Sequence, residues 1–115
     1  MTGVQTCALP IFTVAVKGGP IINDATMIDA EQIGLTSRVK VMHNGSDGAG
    51  TLLDTCSREF VDKFNSADFI ISKGQANFET LEGVRGNILF LLKAKCPVVA
   101  NYLGVELGSI VAQLT

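Results

Sequence analysis

The 115-residue sequence lacks a membrane segment, an excess of charge and a paired set of cysteines. It contains no run of about 18 apolar residues, so we expect no membrane-spanning helix. Eleven acidic and nine basic side chains leave a net charge of −2, which gives no sign of a nucleic-acid-binding surface. Three cysteines without paired spacing argue against a disulfide framework and indicate a reducing compartment, so we predict a cytoplasmic protein.

Histidine and cysteine, which often carry nucleophilic catalysis or bind zinc, are scarce. His43 is the only histidine, and no serine or cysteine nucleophile motif accompanies it. We therefore interpret it as a residue at the end of a strand rather than as part of a catalytic triad. Cys56 and Cys96 do not have the spacing of a zinc site and are expected to be small, buried, apolar residues.

What the sequence does contain is a regular alternation of apolar runs and amphipathic segments. Apolar residues make up 47% of the chain and charged residues 17%, a balance that suits a folded domain. Strands are predicted at residues 12–17, 39–42, 69–71, 88–92 and 110–112, and helices from Asn23 or Asp24, at 55–65, from Asn77 or Thr80, and at 98–103. This alternation predicts an α/β fold with a mostly parallel, doubly wound sheet and helices on both faces.

The rest of the chain is organised around residues 68–79, where a buried strand meets a polar turn. Phe69, Ile70 and Ile71 form a short continuous apolar run, which is typical of a strand covered on both faces. Residues 72–77 then supply a lysine, a glycine and two amides. Because open parallel sheets bind ligands at the carboxyl ends of their strands, we expect functional side chains here.

Three charged side chains are predicted to follow three separate strands at this edge of the sheet. Asp24 is either an oxygen ligand of a divalent cation or the cap of a helix. Lys73 and Lys93 either hold a phosphate group as compact positive charges or simply reach into solvent. Asn77 either orients a ligand through its amide or caps a helix.

Residues 44–51 lie in a polar loop that contains Gly45, Gly48 and Gly50. The loop matches neither the phosphate-loop motif, which requires Gly-Lys-Ser/Thr, nor the Gly-x-Gly-x-x-Gly dinucleotide motif. Its backbone amides are still candidates for facing an anion at the start of the following helix. Two interpretations are open, a flexible lid and a plain long turn.

Residues 1–11 stand apart from the rest of the sequence. They match the translation of a common short-read sequencing adapter, with GTG read as the initiator methionine, and they lack the charged start of a signal peptide. We therefore expect residues 1–11 to be non-native and residues 12–115 to be the C-terminal part of a larger domain. The alternative is a natural flexible N-terminus.

Three long motifs follow one another along the chain. They are residues 19–30 (Gly-Pro-Ile-Ile-Asn-Asp-Ala-Thr-Met-Ile-Asp-Ala), 67–79 (Ala-Asp-Phe-Ile-Ile-Ser-Lys-Gly-Gln-Ala-Asn-Phe-Glu) and 90–100 (Phe-Leu-Leu-Lys-Ala-Lys-Cys-Pro-Val-Val-Ala). Together, and in this order, they closely resemble the damage-control phosphatase family, which is the ARMT-like metal-binding domain once catalogued as domain of unknown function eighty-nine, in its short prokaryotic branch. The resemblance extends from Phe12 to the C-terminus and implies a Rossmann-like α/β fold, truncated at its N-terminus.

The same resemblance implies an activity and a set of site residues. It implies a divalent-metal-dependent phosphatase, with manganese, cobalt, nickel or magnesium, that acts on small phosphometabolites such as sugar phosphates or phosphopantetheine-like compounds. Asp24 matches a metal-binding aspartate of the family, and Lys93 matches its phosphate-binding lysine, so both are predicted to be catalytic. The predicted substrate-binding residues are Lys73, Gly74, Gln75, Asn77, Phe78 and Lys93.

One part of the family pattern is missing. The resemblance implies an upstream Asp-Asn pair, followed by a glutamate, that helps to hold the metal, and no such pair precedes Gly19 here. Because a single carboxylate binds a divalent cation poorly, we expect the chain by itself to be inactive or nearly so. The alternative function is a non-catalytic α/β module that binds a small ligand or nucleotide, in which Asp24 is a cap and Lys73 a solvated cation.

Overall fold

The computed structural model describes residues 12–115, and the segment expected to be adapter-derived, residues 1–11, lies outside that range. Strands and helices alternate along the described residues, which confirms the predicted α/β class. The elements are β1 (Thr13–Val16), α1 (Met27–Gln32), β2 (Lys40–His43), α2 (Arg58–Ser66), β3 (Ile70–Lys73), α3 (Gln75–Leu81), β4 (Ile88–Lys93), α4 (Pro97–Leu103) and β5 (Ile110–Leu114). None of the helices in this range has the length and apolar character needed to cross a bilayer.

The strands form two sheets within the described range rather than one continuous sheet. β1 and β2 pair in parallel, and so do β3 and β4, as the alternation of elements predicts. β5 lies on the other side of β4 and runs antiparallel to it. The backbone explains this direction, because Gly108 N donates to Ala94 O at 2.7 Å and returns the chain to the carboxyl end of β4. A single doubly wound, Rossmann-like sheet stays a prediction.

The helix boundaries follow from local capping. The Ser57 hydroxyl accepts a hydrogen bond from Phe60 N at 3.2 Å and starts α2, and Pro97 begins α4 at a position that needs no amide donor. α1 begins after Thr26, whose backbone amide donates to the Asp29 carboxylate at 2.8 Å. The prediction that Asn23 or Asp24 caps this helix is therefore wrong, because the chain still forms a turn at Asp24.

The hydrophobic core lies on one face of the sheet formed by β3, β4 and β5. Ile88 and Phe90 are completely buried there, and the Phe78 ring packs edge-on against Phe90 with 5.1 Å between ring centroids. Helices α2, α3 and α4 all contribute residues to this one core. Its buried members are Met42, Phe60, Phe64, Phe78, Leu81, Ile88, Phe90, Leu92 and Val99.

The opposite face of the same sheet is open to solvent. Side chains alternate along a strand, so Ile71, Ile110 and Leu114 point away from the core. They are 53%, 82% and 60% exposed. The expectation that β3 is covered on both faces is therefore wrong for residues 12–115, because the helices that pack on this sheet all lie on its other side.

Candidate functional site

Lys73 and Lys93 end two neighbouring parallel strands on the same face of the sheet. Lys73 is in register with Leu91, two residues before Lys93. From ordinary strand spacing and rise, their Cα atoms are about 8 Å apart. Both side chains are exposed and lie on the open face. The structure thus brings these two predicted site residues together, at a spacing that suits a single anion between them.

Gly74 and Gln75 form the turn that follows Lys73. Gly74 has a φ of +104°, which is accessible to glycine and strained for other residues, and its amide donates to Leu91 O at 2.8 Å. The Gln75 side-chain oxygen accepts a hydrogen bond from Lys95 N at 2.7 Å. The turn after β3 is therefore tied to the turn after β4, and this bond fixes the position of the Lys95 backbone two residues beyond Lys93.

Asn77 and Phe78 are both engaged within the protein. The Asn77 side-chain nitrogen donates to Lys73 O, and its oxygen accepts from the Thr51 hydroxyl, each at 2.7 Å. Asn77 does not cap α3, because that helix begins at Gln75. Phe78 is only 3% exposed and lies in the core. In this structure its ring packs in the core and does not present a surface to a ligand.

Asp24 lies on the loop between β1 and α1, beside the other sheet. Its side chain is exposed, and its amide donates to Ile21 O at 2.9 Å in a tight turn where Ile22 has a φ of +49°. Among residues 12–115, no three histidine, cysteine, aspartate or glutamate side chains lie close enough together to hold a metal ion. Asp24 is thus free of a capping role, but the described residues do not complete a metal site around it.

Lys17, which follows β1, connects these regions. Its side chain is 8% exposed, and its ammonium nitrogen donates to Gly48 O at 2.9 Å and also to Gly50 O. Its backbone amide donates to Ala25 O, the residue after Asp24, at 2.9 Å. A nearly buried ammonium requires such partners, because leaving it unpaired costs far more than leaving a neutral group unpaired.

The loop of residues 44–51 is held at both ends. The buried Asn44 side chain accepts hydrogen bonds from Gly18 N at 3.1 Å and from Ser46 N at 2.9 Å. At the other end, a Cβ on Gly50 would lie 2.5 Å from Ala76 O, so only glycine fits. The charged group that this loop contacts is the Lys17 ammonium, and it binds the carbonyl oxygens of Gly48 and Gly50 rather than backbone amides. This contact argues for a fixed turn over an anion cradle or a flexible lid.

The site predicted from the sequence omits three residues whose hydrogen bonds hold this region together. They are Lys17, Asn44 and Thr51. One signal for Lys17 was present, because Lys17-Gly18 and Lys73-Gly74 are both lysine-glycine pairs directly after an apolar strand. Nothing in the sequence indicated that the side chain of Lys17 is buried whereas that of Lys73 is exposed. The burial of Asn44 and the Thr51 hydrogen bond depend on contacts between distant segments, which local pattern does not encode.

Burial raises the pKa of the Cys56 thiol, and Asp54 adds to the increase, whereas the nearby positive charge of Lys17 opposes it.

Two surface depressions of about 360 and 300 Å³ lie beside β2, and both are lined by Lys40 and Glu59. Neither depression is lined by a predicted site residue.

Comparison with known proteins identifies relatives of this arrangement. The chain is 52% identical over 99 residues to a damage-control phosphatase of Pyrococcus horikoshii, which covers 85% of this chain and 34% of the relative. A damage-control phosphatase of Archaeoglobus fulgidus is 38% identical over 106 residues, with 90% and 36% covered. The crystal structure of a DUF89 family protein from Pyrococcus horikoshii matches with a TM-score of 0.84 and 50% identity, over 89% of this chain and 36% of that one.

The chain therefore spans about a third of the length of the curated relatives it matches. Over that third, the sequence is similar to both curated relatives, and the fold agrees with that of the DUF89 family protein. The profile of the damage-control phosphatase ARMT1-like domain matches residues 11–111, which is nearly the whole chain. The chain belongs to the damage-control phosphatase ARMT1-like family.

Proposed function

We propose that this chain forms part of a divalent-metal-dependent phosphatase that hydrolyses small phosphometabolites, such as sugar phosphates or phosphopantetheine-like compounds. The observation that carries the proposal is the pair of exposed lysines, Lys73 and Lys93, on one face at the ends of two adjacent parallel strands. Two ammonium groups at this spacing attract the oxygens of a single phosphate group. Family membership supplies the reaction class.

The chain's own residues contribute binding and charge stabilisation in this proposal. Lys73 and Lys93 stabilise the negative charge that the phosphate oxygens carry as the leaving group departs. Gly74, Gln75 and Asn77 set the direction of the Lys73 backbone through the hydrogen bonds to Leu91, Lys95 and Thr51. Asp24 contributes one carboxylate group toward a metal.

The metal itself does not fit the described residues alone, because no group of three ligand side chains is found among residues 12–115. Manganese, cobalt, nickel or magnesium would each require several oxygen ligands, and Asp24 supplies at most two. We propose that the other ligands come from polypeptide outside the described residues, and that this chain by itself is inactive or nearly so.

A second candidate function is a non-catalytic module that binds a small ligand or nucleotide. The specific observation in its favour is the same lack of a ligand cluster within residues 12–115. In this alternative a small ligand or nucleotide binds without turnover, and Lys73 is only a solvated cation. The two candidates differ on hydrolysis, so an activity measurement separates them.

A chimera provides this measurement. In it, the present chain replaces the matching segment of the Pyrococcus horikoshii relative, with which it shares 52% identity. We expect manganese-dependent hydrolysis of p-nitrophenyl phosphate by the chimera and none above buffer by the 115-residue chain. Asp24→Ala should lower the rate of the chimera at least about 100-fold, since it removes a charged ligand, and Lys93→Met about tenfold in kcat/KM.

The matched control is Lys40→Met, because Lys40 is an exposed lysine at the opposite, amino end of β2. Its activity should equal that of the unchanged chimera. A folded chimera without turnover would favour the non-catalytic module. Turnover with submicromolar manganese binding by the isolated chain would contradict the proposed inactivity.

A further inference from the structure

The Asp24 loop and the loop of residues 44–51 meet at Lys17. Its backbone amide binds Ala25 O, next to Asp24, and its ammonium group binds Gly48 O and Gly50 O in the loop of residues 44–51. The next residue of that loop, Thr51, donates from its hydroxyl to the Asn77 side chain. Asn77 in turn donates to Lys73 O. A continuous series of contacts thus runs from Lys17 to the backbone of Lys73.

The contacts in this series are short and tightly packed. The Thr51–Asn77 and Asn77–Lys73 hydrogen bonds are both 2.7 Å long. Thr51 also donates from its backbone amide to the Thr80 hydroxyl at 2.8 Å, which fixes the end of the loop against α3. Gly50 lies so close to Ala76 that a Cβ would overlap its carbonyl oxygen. A displacement of the loop therefore displaces the start of α3 as well.

Lys17 itself supplies the hydrogen-bond donor at the start of the series. Its side chain is 8% exposed, and both of its partners are backbone carbonyl oxygens that no other described side chain contacts through a hydrogen bond. Removing the ammonium group leaves the two carbonyl oxygens without this donor, at a cost typical of a buried charged hydrogen bond. The loop then loses its link to β1 at these two carbonyls.

We propose that Lys17 is a positioning residue, which fixes the loop of residues 44–51 against β1 and thereby holds the Lys73 turn in the orientation that phosphate binding uses. Lys17 does not contact the phosphate in this proposal. It acts through Gly50, Thr51 and Asn77. The part of the proposal that concerns phosphate rests on the proposed function, whereas the mechanical coupling between Lys17 and Asn77 does not.

The coupling is tested by NMR on the 115-residue chain. Lys17→Met should accelerate amide hydrogen exchange at Gly48 and Thr51 about tenfold and shift the Asn77 side-chain amide signals toward their free positions. Lys17→Arg keeps the charge and should give smaller changes at all three residues. Phe90, in the middle of β4, reports global unfolding, and its exchange should change little.

A second variant interrupts the series of contacts at the hydrogen bond between Thr51 and Asn77. Thr51→Val removes the hydroxyl but keeps the shape of the side chain, so the Asn77 amide signals should shift while exchange at Gly48 stays unchanged. Lys40→Met is the control and should leave every one of these signals unchanged. Thr51→Val also keeps the proposal testable if Lys17→Met does not fold.

The outcomes separate this proposal from the proposed function. Unshifted Asn77 amide signals in both Lys17→Met and Thr51→Val would overturn the coupling, and so would equal acceleration at Phe90, which would make the role of Lys17 one of general stability. In the phosphatase chimera, Lys17→Met should lower kcat/KM about tenfold, with partial rescue by Lys17→Arg. A folded chimera that is inactive without any substitution would refute the phosphatase proposal and leave the NMR result to decide on Lys17.

Discussion

The two faces of the β3–β4–β5 sheet carry the same kinds of residue and have opposite environments. On the covered face, Ile88 and Phe90 are fully buried beneath α2, α3 and α4. On the open face, Ile71, Ile110 and Leu114 are more than half exposed. The predicted phosphate-binding lysines extend from the open face, so the face that builds the core and the face that is proposed to bind substrate are opposite sides of one sheet.

This difference shows what an apolar run in a strand does and does not specify. The run Phe69-Ile70-Ile71 is typical of a strand that is buried on both sides. Within residues 12–115, Ile70 packs against the core and Ile71 does not. The apolar composition of a strand therefore indicates that the strand can be buried on both faces. The neighbouring helices and strands determine which face is covered.

The largest expected effect compares two isoleucines on opposite faces. Ile88→Ala should lower the free energy of unfolding by about 2–5 kcal/mol, because it leaves a cavity in the core. Ile71→Ala should lower it by about 1 kcal/mol, since this side chain is already half exposed and loses mainly strand propensity. Chemical denaturation followed by circular dichroism measures both values.

Equal losses for the two substitutions would contradict the open face. They would mean that Ile71 is covered in solution, and a dependence of the Ile71→Ala result on protein concentration would identify association as the cause. The matched residue type makes the comparison direct, because the same atoms are removed at both positions. Only their surroundings differ.

An intermediate effect concerns Ser72, a buried polar residue on the covered face. Its hydroxyl oxygen is buried and has no hydrogen-bond partner among the described residues. Ser72→Ala removes a desolvated polar group with little loss of volume, so we expect it to raise the free energy of unfolding by about 1 kcal/mol. Thermal and chemical unfolding of this variant check the sign.

Ser109→Ala is the control for this substitution, because it makes the same chemical change at a partly exposed loop position. It should change stability by less than about 0.5 kcal/mol. A loss of stability in Ser72→Ala would show that the hydroxyl has a partner in solution. The covered face would then include a polar contact beside Lys73.

Much of the fold is predictable from local pattern. The alternation of elements, the end of α4 at Gly104 and the strand-end position of His43 all follow from residues next to one another, and the structure has them. The positions of Lys73 and Lys93 at one edge follow from the same alternation. These features depend on the period of the apolar residues, on helix capping and on strand direction, all of which a short stretch of sequence encodes.

The rest depends on contacts between distant segments. Lys17 and Lys73 both lie at the end of a strand and directly before a glycine, but Lys17 is buried against Gly48 O and Gly50 O and Lys73 is exposed. The side chain of Asn77 is equally able to bind a ligand or the Thr51 hydroxyl, and only the path of the loop brings Thr51 to it. Tertiary packing decides between such equivalent local choices, so the sequence leaves them open.

The smallest expected effect lies at the border of the covered face, where Cys56 is partly buried against the core. Burial raises the pKa of its thiol above the ordinary value, so the folded state keeps the proton to higher pH than the unfolded state does. The resulting stability is fully present below the ordinary thiol pKa and is lost as the pH rises through the raised one. Between about pH 7 and about pH 10, the unsubstituted chain should therefore lose more stability than Cys56→Ala, which has no thiol to titrate at this position. Identical losses in the two proteins would mean that the thiol is solvated in the folded state, and the covered face would then end short of Cys56.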